Sequence, residues 1–399
     1  MTRPRPPLAP PLARLPEEWE GPARALGGRA FHGRQIFRWI MARGITDPGK
    51  MTDLPSGLRT KLGEAGGLSV LETTAVRRAA DHTRKLLVRM ADGATVETVL
   101  IPGVTGPRRR GHEAPASVAE PGVEEDADAA AAVDDEEEPD AEGGPVRVTQ
   151  CISTQVGCAM GCVFCASGVA GLARQMGPDE IVAQVLWGRR ELDADEQLRN
   201  VVFMGMGEPL HNYDATARAL RLLSHPDGIG LSSRRITVST SGLVPEIARL
   251  GADFGGQVGL AISLHAADDE TRTRLMPINK KYPLATLMEA LRAYPLPRRR
   301  RITIEYTLVA GRNDDPSEAR KLGRLLRGLP VKVNLIPMNP IEASTLGPPD
   351  AGRILAFQGA LIDAGYSCFI RRRRGDDVDA ACGQLALLGA RRKVRVNRE

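Results

Sequence analysis

The sequence predicts an α/β protein: a partial (β/α)6 barrel with a small N-terminal helical domain and a β-hairpin extension. Three observations support this prediction. Apolar residues near the start repeat at helical spacing, a short stretch after them alternates around a turn signal, and from residue 146 onward strand-like runs alternate with helical stretches. Strand–helix alternation is typical of parallel strands joined by right-handed crossovers.

Residues 1–75 are predicted to form the helical domain. Two apolar pairs repeat four residues apart: Ile36/Ile40 and Phe37/Met41. Gly44 lies just beyond this segment, and a second short helix is predicted over residues 56–64. The domain is basic through Arg29, Arg34, Arg38, Arg43, Lys50, Arg59 and Lys61. We interpret it as an RNA-binding accessory domain, although a solvated surface would carry the same charges.

Residues 76–102 are predicted to be a β-hairpin linker, because two alternating runs flank Asp92-Gly93, a dipeptide that favours tight turns. Residues 103–146 are predicted to be a disordered acidic insertion with almost nothing to bury. Within it, residues 120–142 hold twelve acids and no Lys or Arg, and removing these acids takes the net charge from +5 to +17. A body this basic suits a polyanion such as RNA.

Residues 147–388 are predicted to form the barrel and a C-terminal catalytic loop, followed by a basic tail over 389–399. The strand-like runs are 146–153, 200–205, 235–240, 258–264, 302–309 and 331–337. The helical stretches lie near 178–190, 214–224, 245–250, 284–294, 316–328 and 350–364. Six strands indicate a partial barrel, with ligands expected at the carboxyl ends of the strands.

Cys158, Cys162 and Cys165 have the spacing C-x3-C-x2-C. Three thiolates would hold three irons of a [4Fe–4S] cluster and leave the fourth iron open. The open iron could chelate the amino and carboxylate groups of S-adenosylmethionine (SAM), and an electron from the cluster would then cleave a C–S bond to give a 5′-deoxyadenosyl radical. This spacing is the signature of radical-SAM enzymes and differs from the C-x2-C pairs of zinc sites.

A zinc site or a disulfide framework suits these cysteines less well. Zinc would need a fourth ligand, for which Cys151 and distant histidines are the candidates. A disulfide framework is typical of small secreted chains, whereas this chain has 399 residues, six cysteines, no signal segment at its start and no apolar run of membrane-spanning length. We therefore expect a cytoplasmic protein with no membrane partner.

Seven segments, taken in order, resemble the RlmN/Cfr family of radical-SAM RNA adenine methyltransferases. They are C-I-S-T-Q-V-G-C-A-M-G-C-V-F-C (151–165), G-M-G-E-P (205–209), S-T-S-G (239–242), A-I-S-L-H (261–265), M-P-I-N-K-K-Y (276–282), N-L-I-P-M-N-P (334–340) and R-G-D-D-V-D-A-A-C-G-Q-L (374–385). The resemblance runs from about residue 29 to 388, apart from the acidic insertion.

The resemblance implies a radical-SAM barrel and roles for particular residues. Cys158, Cys162 and Cys165 would bind the [4Fe–4S] cluster. Gly207 and Glu208 would hold SAM, with Glu208 taking up its ammonium group. Further SAM contacts would come from Ser239, Ser263, Leu264, His265 and Asn339. The catalytic residues would be Cys382 as the methyl carrier, Cys151 as the resolving thiol and Glu97 as a proton acceptor.

The resemblance also implies the reaction. C2 of adenine is electron-poor and cannot attack the methyl group of SAM as an ordinary nucleophile, so the methyl must arrive as a radical. The Cys382 thiolate would take a methyl group from one SAM, and a second SAM would supply the radical that removes hydrogen from this S-methyl group. The resulting methylene radical would add to C2, and after loss of the C2 proton the Cys151 thiolate would release the product in a transient disulfide with Cys382.

The expected partners are 23S rRNA, modified in the peptidyl transferase centre, tRNA, modified in the anticodon loop, and an electron donor such as flavodoxin. A monomer is expected. Three alternatives stay open: methylation at C8, as in Cfr, a non-catalytic iron–sulfur RNA sensor, and an activase acting on a protein glycine. Pro209 and Ala266 favour C2 over C8. A sensor would need neither Cys382 nor the SAM motifs, and an activase would not need the paired Cys151 and Cys382.

Several of these residues could equally serve the structure alone. His265 could be a satisfied core histidine, Ser239 a helix N-cap, Glu97 a salt-bridged strand glutamate, and Cys151 and Cys382 inert buried thiols. Cys368 matches no functional position and is predicted to be a strand-packing thiol. Of two basic runs, 371–374 leads into the Cys382 loop and could bring RNA phosphates near the chemistry, whereas 298–301 has the character of a solvated connector.

Overall fold

The fold is organised around one ten-stranded sheet with helices packed against it. It is known from a computed structural model. The residues it describes are 9–68, 70–103, 144–341, 344–371, 374–375, 378–381 and 383–385. Cys382, the predicted tail over 389–399 and residues 104–143 of the predicted insertion lie outside these ranges. Within them, no helix combines the length and the apolar character needed to cross a membrane.

The described part of the N-terminal region contains three α-helices: α1 (Glu20–Ala25), α2 (Ala30–Phe37) and α3 (Ser56–Ala65). Helix α2 continues into a π-helical turn over Arg38–Ala42, and Gly44 follows with φ +68°. The four residues of the predicted apolar pairs are at most 1% exposed, because their helical spacing puts them on one inward face. Both predicted helices are confirmed.

Three antiparallel strands follow: β1 (Leu71–Arg78), β2 (Arg84–Met90) and β3 (Thr95–Pro102). The predicted hairpin is formed by β2 and β3, and Gly93 takes φ +83° in its turn. Strand β1 was not predicted, and it crosses the expected end of the helical domain at residue 75. Most of its residues are exposed, so it lacks the apolar alternation that identifies a half-buried strand.

The barrel strands are β4 (Val146–Cys151), β7 (Glu196–Phe203), β8 (Ile236–Thr240), β9 (Gly259–Ser263), β10 (Ile302–Leu308), β11 (Val331–Pro337) and β12 (Cys368–Ile370). They are parallel and adjacent in this order. All six predicted strands are present, which confirms the α/β partial-barrel class. Strand β12 adds a seventh, and its three residues are too few to give a periodic signal.

The helices of the barrel are α4 (Ala166–Ala170), α5 (Pro178–Arg190), α6 (Tyr213–Ser224), α7 (Val244–Phe254), α8 (Asp269–Leu275), α9 (Leu284–Ala293), α10 (Pro316–Leu325) and α11 (Ala351–Asp363). The six predicted helical stretches correspond to α5, α6, α7, α9, α10 and α11. The short helices α4 and α8 were not predicted. A separate two-stranded sheet pairs β5 (Gln155–Gly157) with β6 (Leu172–Gln175).

The hairpin extension is continuous with the barrel. Strand β3 pairs antiparallel with β4, placing Val99 opposite Cys151. A buried ion pair joins β2 to β7, with Arg84 Nη2 2.5 Å from Glu196 Oε2 and both side chains at most 3% exposed. Cys368 lies in β12 and is 5% exposed, so its predicted packing role is confirmed. Burial raises the pKa of its thiol to about 12.

The N-terminal helices pack against α5 and against the chain that follows α6. Phe37 and His225 make an edge contact with ring centroids 4.9 Å apart. Arg34 and Arg38 both pair with Asp227, at 2.5 Å and 2.6 Å. These two arginines, expected to face RNA, are therefore used at least in part to hold the domain in place. Exposed cations of the same domain are Arg29, Arg43, Lys50 and Lys61.

Candidate active site

A cavity lies at the carboxyl ends of the barrel strands, where the alternation of strands and helices predicts a ligand. Many of the predicted site residues line it: Cys158, Cys162, Cys165, Gly207, Glu208, Ser239, Ser263, His265 and Asn339. Apolar side chains complete the wall, among them Phe164, Phe203, Met276 and Met338. The fold thus gathers these residues into a single cavity from the ends of β7, β8, β9 and β11 and from the cysteine loop.

The three cysteines lie on the loop between β5 and α4. Residues outside this loop hold it through backbone hydrogen bonds. The N–H of Cys158 donates to Gly171 O at 3.1 Å, and the N–H of Val163 donates to Leu275 O at 3.1 Å. Gly168 of α4 fits closely against the loop, since a Cβ there would lie 2.9 Å from the backbone nitrogen of Cys162. The loop conformation is therefore fixed by main-chain contacts, which leave the thiols to point at the cavity they line.

Burial dominates the electrostatics of these thiols. It raises the pKa of Cys158 to about 12 and that of Cys162 well above its usual range, and the neighbouring cysteines raise both further. Thiols in such a setting ionise only when a metal takes up the charge of the thiolates. All three thiols line the same cavity.

Three thiols on one loop line the cavity together with Glu208, a donor set that fits a [4Fe–4S] cluster with one open iron. Among the residues that the structure describes, no three Cys, His, Asp or Glu side chains are close enough to share one metal ion. A cubane spreads its thiolates over different irons, so its ligands need not converge on one point. The donor set is therefore the one that the C-x3-C-x2-C spacing predicts for a cluster.

Glu208 follows β7 and is 3% exposed. Its two carboxylate oxygens accept hydrogen bonds from the backbone N–H groups of Leu210 at 3.0 Å and Ser241 at 2.7 Å. Burial raises the pKa of this carboxyl, and these hydrogen bonds act in the opposite direction. A fixed, buried carboxylate at a cavity wall is suited to bind a cationic group, such as the ammonium group of SAM.

Two residues that position the G-M-G-E-P loop were not singled out from the sequence. Gln155 accepts a hydrogen bond from the backbone N–H of Glu208 at 2.9 Å, and Ser153 accepts one from the backbone N–H of Met206 at 2.9 Å. The Ser153 hydroxyl also donates to Glu97 O at 2.7 Å. Both lie in C-I-S-T-Q-V-G-C, so the signal was present, but polar residues in a strand-like run do not reveal their partners.

Ser239 and Ser263 end neighbouring strands, with their hydroxyl oxygens 3.5 Å apart. Ser239 lies within β8 and caps no helix, which excludes the alternative role of a helix N-cap. His265 has φ +57° and is buried, and its Nδ1 accepts a hydrogen bond from the backbone N–H of Thr307 at 2.9 Å. Burial lowers the pKa of His265 to about 3, so the ring is neutral with its proton on Nε2.

Three predicted site residues lie outside the cavity wall. Leu264 is 0% exposed, and its backbone carbonyl accepts a hydrogen bond from Arg272. Cys151 ends β4 and is 7% exposed. Glu97 lies on β3 and forms an ion pair with Lys85 at 3.0 Å, with both side chains 8% exposed, as expected for a salt-bridged strand glutamate. The structure does not describe Cys382.

The two basic runs differ in position. Arg371 lines the cavity and lies 3.5 Å from Glu305 Oε2, and Arg374 lies 3.7 Å from Asp81 Oδ2. Both are thus paired within the protein. The run 298–301 precedes β10, at the opposite end of the barrel from the site, where Arg300 donates to Gln257 O at 2.6 Å. This position agrees with the prediction of a connector.

Gly207 provides a test of the cavity. Its φ is +104°, and a Cβ would lie 2.6 Å from Gln155 Cβ. We expect Gly207→Ala to weaken SAM binding by at least about tenfold, since backbone strain alone costs roughly 1–2 kcal/mol and the clash adds to it. The measurement is equilibrium dialysis of SAM against reconstituted protein. Gly311→Ala is the control, with φ +66° and open space. Equal binding by the two variants would contradict the assignment.

Comparisons with known proteins agree with this architecture. The model of the radical SAM superfamily matches residues 152–322, and that of the ribosomal RNA large subunit methyltransferase N-terminal domain matches residues 22–66. The chain is 67% identical to the dual-specificity RNA methyltransferase RlmN of Sorangium cellulosum, over 96% of this chain and 97% of the relative. It is 45% identical to RlmN of Geobacter sulfurreducens, over 90% and 87% of the two chains.

A solved structure has the same fold. The crystal structure of a radical SAM methyltransferase from Sphaerobacter thermophilus superposes with a TM-score of 0.80 at 40% identity, covering 95% of this chain and 99% of that one. The cysteine loop, the glycine- and serine-lined strand ends and the N-terminal helices therefore belong to a chain that these relatives match over nearly their full length. The chain belongs to the RlmN family of radical-SAM dual-specificity RNA methyltransferases.

Proposed function

We propose that this protein methylates C2 of one adenosine in 23S rRNA, in the peptidyl transferase centre, and of one adenosine in the tRNA anticodon loop. The methyl group passes through an S-methyl group on Cys382, and each cycle consumes two SAM molecules. The observation that carries the proposal is the fastening of the Cys382 loop to the cysteine loop: the backbone N–H of Ala166, directly after Cys165, donates to Gly383 O at 2.8 Å.

The chain on both sides of position 382 is anchored. After it, the Ser167 hydroxyl donates to Leu385 O at 2.6 Å. Before it, Lys85 Nζ donates to Asp379 O at 3.1 Å, and the backbone N–H of Gly375 donates to Asp81 Oδ2 at 3.1 Å. One set of anchors belongs to the start of α4, directly after the cysteine loop, and the other to the hairpin extension. This arrangement supports a carrier cysteine that works beside the cavity.

In this proposal Cys158, Cys162 and Cys165 hold the [4Fe–4S] cluster, and Glu208 with the Gly207 turn binds SAM. Bound together, cluster and SAM supply a radical that can remove a hydrogen atom from an S-methyl group. The remaining SAM contacts are assigned to Ser239, Ser263, Leu264, His265 and Asn339. The Leu264 side chain and backbone carbonyl are both occupied within the protein, so its contribution would be the placement of Ser263 and His265 on either side of it.

Glu97 and Cys151 complete the cycle. Glu97 accepts the C2 proton, and its carboxylate is held in place by the 3.0 Å ion pair with Lys85. Because Lys85 also contacts Asp379, the same ammonium group links the base to the carrier loop. The Cys151 thiolate attacks the sulfur of Cys382 and forms the transient disulfide, after which a reductant restores both thiols.

The substrate classes set the partners. We propose rRNA and tRNA as substrates, a flavodoxin-like electron donor, a monomeric enzyme and a cytoplasmic location, where thiols are kept reduced. The exposed cations Arg29, Lys50 and Lys61 of the N-terminal helices are available for phosphate contacts.

The position of the methyl group on adenine tests the proposal. The protein is expressed in a host that lacks its own enzyme of this kind, and nuclease-digested rRNA and tRNA are examined by mass spectrometry. We expect 2-methyladenosine in both. Finding 8-methyladenosine and no 2-methyladenosine would overturn the C2 assignment in favour of C8. Finding neither, together with no 5′-deoxyadenosine on anaerobic incubation with SAM and a reductant, would favour an iron–sulfur RNA sensor.

A further inference from the structure

Arg272 of helix α8 is a completely buried cation whose hydrogen-bond acceptors are all neutral. Its Nε donates to Leu264 O at 3.1 Å, and its Nη1 to Asn279 Oδ1 at 2.9 Å. Its Nη2 donates to Ser241 O at 2.6 Å and to Ser263 O at 3.4 Å. Ser241 follows β8, Ser263 and Leu264 lie at the end of β9, and Asn279 belongs to the M-P-I-N-K-K-Y segment. One guanidinium therefore joins three segments around the cavity.

A buried arginine without a carboxylate partner is unusual, because removing a charge from water is costly unless an opposite charge compensates it. Within the described part of the chain, Arg272 forms no ion pair. Asp269 is close enough to favour the charged guanidinium, but its carboxylate accepts a hydrogen bond from Asn279 Nδ2 at 2.9 Å and forms no ion pair with Arg272. The backbone acceptors satisfy the hydrogen-bond donors of the guanidinium, but they are neutral and do not neutralise its positive charge.

The same helix holds the cysteine loop. Leu275, at the end of α8, accepts the hydrogen bond from Val163 between Cys162 and Cys165. Arg272 Nη2 also donates to Ser241 O and Ser263 O, and both serines line the cavity together with Cys162. The guanidinium therefore lies directly behind the wall that faces the cysteines, in an interior that screens charge poorly.

We infer that Arg272 is the counter-charge of the [4Fe–4S] cluster, and that it makes the cluster easier to reduce. This inference rests on the proposed cluster site. A cluster with three thiolates is anionic, and its negative charge grows by one on reduction, so a nearby fixed cation stabilises the reduced form more than the oxidised form. Arg272 is thus a positioning residue that also sets the reduction potential.

The experiment compares two substitutions that separate charge from geometry. Arg272→Lys keeps the positive charge and loses the fork of donors, whereas Arg272→Gln loses the charge and keeps a hydrogen-bonding group. Arg274→Gln is the matched control, because Arg274 lies on the same helix, is 62% exposed and pairs with Glu270. Each reconstituted protein is titrated with dithionite, and the reduced cluster is counted by electron paramagnetic resonance, without RNA.

We expect Arg272→Gln to reduce the equilibrium constant for reduction at least tenfold, about 59 mV for a one-electron couple. Arg272→Lys should stay closer to the unsubstituted protein than to Arg272→Gln, and Arg274→Gln should match the unsubstituted protein. Equal potentials for all four proteins would overturn the inference. An equal fall in reduction potential in the Lys and Gln variants would also overturn it, because it would indicate a role in geometry alone.

Two further measurements keep the inference testable. Arg272→Met removes the charge with an apolar chain and replaces the Gln variant if that variant does not fold. The rise in melting temperature on cluster loading should be smaller for the Gln or Met variant than for the unsubstituted protein, because the cluster then meets no counter-charge. An equal rise would contradict the inference.

Failure of the proposed function would give a different result. In that case the unsubstituted protein itself would take up no cluster, whereas failure of the inference alone would leave cluster uptake intact and the potentials equal.

Discussion

Replacing Cys382 with alanine is expected to abolish RNA methylation completely while the rest of the site stays assembled. The reason is chemical: alanine has no sulfur to accept a methyl group. The contacts that fasten the loop use the backbone of Asp379, Gly383 and Leu385, none of which the substitution removes. The loop should therefore keep its place with an inert side chain at position 382.

The measurement has three parts: methylated RNA by mass spectrometry, iron content, and SAM affinity of the reconstituted protein. Intact-protein mass should show a methyl group on the unsubstituted enzyme after incubation with SAM and none on the variant. Cys368→Ala is the matched control, since Cys368 is a buried thiol of β12 away from the cavity wall. Methylation by the Cys382 variant, or its loss in the Cys368 control, would show that the carrier has been misassigned.

The barrel was predictable from sequence because its strands are buried. Runs such as β10 and β11 are almost wholly buried, and such strands appear as continuous apolar stretches between helices. Strand β1 was missed because most of its residues are exposed, and β12 because three residues carry no period. The pattern of hydrophobic residues therefore identifies a helix or strand only where that element is buried and long enough to show the pattern.

The residues of the site also divide into those that the sequence predicted and those that it missed. The cysteines and the Gly207–Glu208 turn were found because their chemistry or conformation limits the residue types that can serve there. Arg272 and Gln155 were missed because their roles depend on partners brought close only by folding, such as Ser241 O for Arg272 and the Glu208 N–H for Gln155. Glu97 is intermediate: its position was predicted, whereas its ion pair with Lys85 required the register of β2 against β3.

Replacing Cys151 with alanine should have a different outcome from the loss of Cys382: protein covalently trapped on RNA. Without the resolving thiolate, the carrier sulfur stays joined through the transferred carbon to the base, since release requires attack on that sulfur. Each enzyme molecule would then react once and stop. The adduct should survive denaturing electrophoresis. After nuclease treatment, its mass should equal that of the protein plus one nucleotide.

The double variant Cys151→Ala/Cys382→Ala supplies the control, because it lacks the sulfur through which an adduct would form. It should show neither adduct nor methylated RNA. The position of Cys151 supports the resolving role: it ends β4 at the same edge of the sheet as the cavity, in register with Val99 of β3 and Val202 of β7. Normal turnover by the single variant would mean that another group resolves the adduct, and that the two cysteines are not partners.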